Sequence, residues 1–152
     1  SESQPIPTHH KKEFPINKKF SVGTIIDLNL TDTTQLKMIP GIGSYYAKKI
    51  INYREKLGGF VSIHQISEIE GLPKDIQQWF EIKHPTTIKT IHMNTTDFKT
   101  LVRHPYLNYE QTKAIINYRQ KYGKITHWET LINLSVFTEK DIEKLTPYFR
   151  LE

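Results

Sequence analysis

The sequence predicts an all-α fold: two tandem copies of one unit, each of about four short helices, packed as a compact helical protein. Three observations lead there. The second half repeats the first at a constant offset of 65 residues, so that Asn29 meets Asn94, Asp32 meets Asp97, Leu36 meets Leu101 and Pro40 meets Pro105. The block Ile50-Ile51-Asn52-Tyr53-Arg54 returns without a gap as Ile115-Ile116-Asn117-Tyr118-Arg119, with Lys56 and Gly58 matched by Lys121 and Gly123. Finally, Ala47, Ile50, Ile51, Arg54 and Leu57 fall at helical spacing, and glycine, proline or a capping residue marks where each such run starts or stops.

Taken in order, residues 1–19 read as a flexible leader. Pro5, Pro7 and Pro15 break any helix there, and His9-His10-Lys11-Lys12 is a solvated basic run. No segment in the chain has the apolar length of a signal peptide or a membrane span. The first copy is expected over 20–84 and the second over 85–150, with Pro85 in the joint. An extended approach through Ile26 and Leu28, echoed at Ile91 and Met93, leads into a short helix that Thr31 or Asp32 caps. Pro40 ends that helix, because the residue before a proline is pushed out of the helical region.

Gly41 and Gly43 then permit a tight turn, and a long helix starts directly after it. Beyond Gly58-Gly59-Phe60, Ser62 caps a helix through Ile63, Ile66 and Ile69; a second glycine turn, Glu70-Gly71-Leu72-Pro73, leads to a helix with Ile76, Trp79 and Phe80. In the second copy Gly123 ends the long helix, Thr126 or His127 opens one with Trp128, Leu131 and Leu134, and Thr138 caps the last, which carries Ile142 and Leu145.

The turn at Gly41–Gly43 has a chemical meaning. The first N–H groups of a helix lack acceptors within it, and the helix dipole makes that end favourable for an anion. Two glycines let a phosphate approach the backbone, and Lys48 and Lys49 follow about a turn later. The competing reading is a turn whose glycines serve close packing alone. A dinucleotide fingerprint fits poorly, since a helix rather than a strand precedes and Tyr46 fills the sixth position. In the second copy the equivalent turn is His104-Pro105-Tyr106-Leu107-Asn108, without either glycine. Tyr106 would obstruct a phosphate, while Asn108 tolerates a left-handed backbone, so that turn is expected to be mainly structural or to bind weakly through Lys113 and Arg119. Arg54 and Arg119 read as half-buried arginines bonding helix carbonyls.

Composition narrows the function classes. A net charge of +5 favours a polyanionic partner, and with no cysteine there are neither disulfides nor thiolate metal sites. The seven histidines show no metal-binding spacing, no nucleophile elbow is present, and the carboxylates sit at helix starts, where capping explains them. An enzyme is therefore not expected, nor a small-molecule substrate.

The run Leu36-x-x-Ile39-Pro40-Gly41-Ile42-Gly43-x-x-x-Ala47-x-x-Ile50 resembles the helix-hairpin-helix motif of DNA-binding proteins. With Asp27-Leu28-Asn29 ahead, Tyr53-Arg54 behind and Gly58-Gly59-Phe60 closing, residues 27 to 80 resemble the ComEA-like DNA-uptake (competence) type. The resemblance implies sequence-independent binding of double-stranded DNA, with hairpin amides on phosphate oxygens and lysines neutralising charge. The residues it points to are Pro40, Gly41, Ile42, Gly43, Ser44, Lys48, Lys49 and Gly71, joined by Lys113 from the second copy. It also implies that hairpin carbonyls hold a monovalent cation, and that the DNA-binding unit is exported and meets a membrane only through a tether. The alternative is a protein-interaction or structural module that has lost DNA binding, which the altered turn of the second copy favours.

Overall fold

The computed structural model describes residues 18–83 and 87–152. Most of the expected leader lies outside them; Lys19, its last residue, is instead tied to the first glycine turn, as described below.

Each copy forms four helical segments between two very short strands. The first runs β1 (Ile26–Asp27), α1 (Thr33–Leu36), α2 (Ser44–Leu57), two 3-10 helices (Ile63–Glu68 and Ile76–Trp79) and β2 (Phe80–Glu81). The second runs β3 (Ile91–His92), α3 (Phe98–Val102), α4 (Tyr109–Tyr122), α5 (Trp128–Ile132), α6 (Glu139–Leu145) and β4 (Phe149–Arg150). The fold is thus mostly helical rather than purely so. In each copy the entering and leaving segments pair in parallel, Ile26 opposite Phe80 and Ile91 opposite Phe149. Two residues per strand are too few to show the period-2 alternation that reveals a strand in a sequence.

Local chemistry explains the helix starts. Asp32 accepts from the Gln35 amide and Asp97 from the Thr100 amide. Ser62 with Gln65, and Thr138 with Asp141, form reciprocal capping boxes. Each cap satisfies an amide the helix itself cannot, which is worth about 1 kcal/mol.

The polar struts repeat along with the sequence. Asn29 pairs with the Phe60 backbone, donating to its carbonyl and accepting from its amide, both at 2.8 Å. Asn94 does the same with Ile125, at 2.8 and 2.7 Å. Arg54 donates to the carbonyls of Leu28 (3.0 Å) and Thr31 (2.7 Å), and Arg119 to those of Met93 (3.4 Å) and Thr96 (2.6 Å). Both arginines are half-buried, as read from the sequence, but the carbonyls belong to the loop ahead of the short helix rather than to a helix.

The apolar core is one cluster that includes Leu36, Ile50, Phe60 and Ile66 from the first repeat and Met93, Leu101, Ile115 and Leu145 from the second. The repeats are joined by a polar and aromatic seam. Gln65 donates to the hydroxyls of Tyr106 (2.8 Å) and Tyr148 (2.9 Å), while its carbonyl oxygen accepts from the Val61 and Ser62 amides. Tyr148, fully buried, donates to the Gly59 carbonyl at 2.7 Å. His104 donates through Nε2 to the Leu57 carbonyl at 2.9 Å, closing the C-terminal end of α2. Among the described residues no buried side-chain polar atom lacks a partner, so the seam avoids the desolvation penalty of an unmade bond.

Candidate functional site

The first hairpin is residues 39–43, between α1 and α2. Ile39 and Ile42 anchor it, each almost wholly buried. Gly41 has φ +88°, a conformation that residues with a Cβ rarely adopt, and a Cβ there would lie 3.0 Å from Pro73 Cγ. Gly71, in the second hairpin of the same repeat, also has φ +88°, and its Cβ would lie 3.0 Å from the Tyr46 hydroxyl. The two glycine turns therefore abut, each glycine giving room to the other hairpin. Lys49 reinforces the join by donating to the Glu70 carbonyl at 3.2 Å.

Gly43 is different. Its φ is −100°, open to any residue, and a Cβ built there meets nothing within 4 Å. It does not use the glycine-only conformation expected of it. It occupies the N-cap of α2 with no side chain to close the helix end, and α2 has no acidic residue in its first turn. The amides of Gly41 and Gly43, and those of Ser44, Tyr45 and Tyr46 that open the helix, have no acceptor among the described residues. Gly41, Gly43, Ser44 and Tyr45 are exposed.

At three of these five positions the second repeat is closed, while the Tyr109 and Glu110 amides, matching Ser44 and Tyr45, have no acceptor among the described residues in that repeat either. The Tyr106 amide, matching Gly41, donates to His104 Nδ1 at 3.0 Å. The Asn108 amide, matching Gly43, donates to Gln111 Oε1 at 3.1 Å, and the Gln111 amide, matching Tyr46, donates to Asn108 Oδ1 at 2.8 Å. Glu110 adds a carboxylate in the first turn of α4. Asn108 was expected to tolerate a left-handed backbone; its φ is −94° and it serves as a helix cap instead. The Tyr106 hydroxyl turns to the first repeat and donates to Glu68 at 2.7 Å. What is an open turn in one repeat is thus part of the seam in the other.

The sequence-derived residues divide accordingly. Pro40, Gly41, Gly43, Ser44 and Lys48 are exposed around the open turn, and Gly71 is brought beside it by the second hairpin. Ile42 supports the turn from the core, its amide already given to the Ile39 carbonyl at 3.1 Å. Lys49 is half-buried, with its ammonium held by Glu70 and 5.5 Å from the Tyr45 ring. Lys113 is exposed on α4, in the other repeat, and has no hydrogen bond or ion pair to the first hairpin.

Sequence reasoning missed Lys19. Its ammonium donates to the carbonyls of Lys37 and Ile42 (the latter at 3.3 Å), on either side of the bend. The monovalent cation implied by the resemblance would need such carbonyls, and two of them are already engaged by this ammonium; the residues present do not fit an added ion. Reasoning from sequence also missed His104 as a joint residue. The available signal was its register: it stands where the first repeat places the core residue Ile39.

Comparison with known proteins follows the same two-part division. The family model described as helix-hairpin-helix motif matches residues 21–79 and again 86–150. Endonuclease/exonuclease/phosphatase family domain-containing protein 1 of Xenopus laevis is 19% identical over 144 residues, covering 79% of this chain and 26% of that protein. S1 RNA-binding domain-containing protein 1, from Homo sapiens and from Pongo abelii, is 39% identical over 54 residues, 35% of this chain and 5% of that protein. The chain thus spans only a small part of each of these relatives. No solved structure matches it.

Proposed function

Starting from the membership of this chain in the helix-hairpin-helix family, whose motifs are generally nucleic-acid binding, we propose that it binds double-stranded DNA without regard to sequence, through the first hairpin. The observation that carries this reading is the open amides of Gly41, Gly43 and Tyr46, whose counterparts Tyr106, Asn108 and Gln111 all have acceptors in the second repeat. Amides at a helix start donate to phosphate oxygens, which every base pair presents alike. Lys48 stands exposed one turn into α2 and supplies charge. Gly43, with no side chain over the amides, leaves a phosphate room to dock. Resemblance over residues 27 to 80 extends the proposal to DNA uptake, with the chain working outside the cytoplasmic membrane on a tether. This is a binder's role and involves no chemical step.

The test is a titration of labelled duplex at a series of salt concentrations. Binding through two to four phosphates makes log affinity fall by about 0.9 per log unit of salt for each contact, with affinity in the micromolar range or weaker. Two unrelated duplex sequences should bind alike. The second reading, a structural or protein-interaction module, draws on the sealed turn of the second repeat; it predicts no salt-dependent binding even at low ionic strength.

A further inference from the structure

We propose that the Lys19 ammonium is the first hairpin's own built-in cation, which aims the hairpin amides outward and removes any need for a free monovalent ion. The Lys37 carbonyl precedes the bend and the Ile42 carbonyl follows it, and Lys19 Nζ donates to both. The lysine does not get there on a loose tail. The Phe20 amide donates to the Met38 carbonyl at 2.7 Å, and the Phe20 ring packs against the core, so the backbone next to Lys19 is fixed beside the hairpin.

The geometry of the peptide unit gives this contact its consequence. Ile42 C=O and Gly43 N–H belong to one planar trans peptide, in which the oxygen and the hydrogen point in opposite directions. An ammonium holding the oxygen on one side fixes the hydrogen on the other. It also polarises the unit, because hydrogen bonds in a chain strengthen one another. Gly43 N–H is one of the amides without an acceptor among the described residues, so the lysine acts on the very group a phosphate would meet. As a positioning residue, Lys19 works from behind the turn.

The DNA half of this proposal rests on the reading above; the cation half does not. Both are read from wild type and Lys19→Met in potassium, sodium or choline chloride at one fixed ionic strength. Wild type should show the same melting temperature and the same duplex affinity in all three salts. Lys19→Met should melt lower and bind several-fold more weakly in choline, with recovery in potassium or sodium as a small ion takes the vacated carbonyls. Cation-dependent melting of wild type would overturn the proposal, as would a Lys19→Met protein that matches wild type in choline. If the melting pattern holds while neither protein binds duplex, the built-in cation stands and the DNA reading alone falls.

Discussion

The two first hairpins of this chain share register and the length of the helix that follows, yet three amides left open in one are bonded in the other. In the second repeat, His104, Asn108 and Gln111 accept the hydrogen bonds that the first repeat leaves open, and Tyr106 carries the turn into the seam. Satisfying a helix start from within is the stabler arrangement, worth about 1 kcal/mol per cap. A turn that leaves those groups open gives up that gain. In a duplicated motif, matching sequence alone does not say which helix ends are satisfied from within; the caps do.

The largest expected effect comes from pH acting on the closed turn. Burial pushes the His104 pKa down to about 4, against the smaller opposing effect of its bond to Leu57. Nδ1 accepts from the Tyr106 amide, so a proton there would break that bond. The unfolded chain takes up this proton near pH 6.5 while the folded one does not. The stabilisation is therefore complete above pH 6.5, declines as the pH falls to 4, and is flat below, a loss of about 3 kcal/mol. Urea unfolding of wild type and His104→Ile, which installs the first repeat's residue, should differ in slope across that window alone.

Next in size is Gly41→Ala. The left-handed backbone and the Pro73 contact together should cost about 2 kcal/mol, seen as a lowered urea midpoint. This separates Gly41 from Gly43, which the sequence alone treats as a pair. Gly43→Asp places a carboxylate over the open amides and caps α2. Duplex affinity measured by anisotropy should fall about tenfold or more, equivalent to about 1.4 kcal/mol, while thermal stability holds or rises slightly. If affinity is unchanged, the first hairpin is not the contact. Smallest is Asn108→Gly, which makes the second turn imitate the first. It should cost a few tenths of a kcal/mol in stability and confer no added DNA affinity, since the Tyr106 amide stays bonded to His104.

Much of this architecture was legible in advance because it is local. The caps at Asp32, Ser62 and Thr138 and the stop at Gly123 each follow from one residue's chemistry acting on its neighbours, and the repeat offset is a plain match of letters. Contacts between distant residues were not legible. Lys19 reaches Ile42, Tyr46 fills the space above Gly71, and Gln65 bridges to Tyr106 and Tyr148 across the seam. No spacing rule announces such meetings. The strands were hidden for a related reason: their two residues are set by a partner more than 50 positions away, as Ile26 is by Phe80.

That parallel clamp has a consequence of its own. Because β1 lies against β2, and β3 against β4, the backbone enters and leaves each unit at the same corner. A module with adjoining ends can be copied or spliced into a longer chain with little disturbance to its interior. Such a corner is a natural seam for gene duplication.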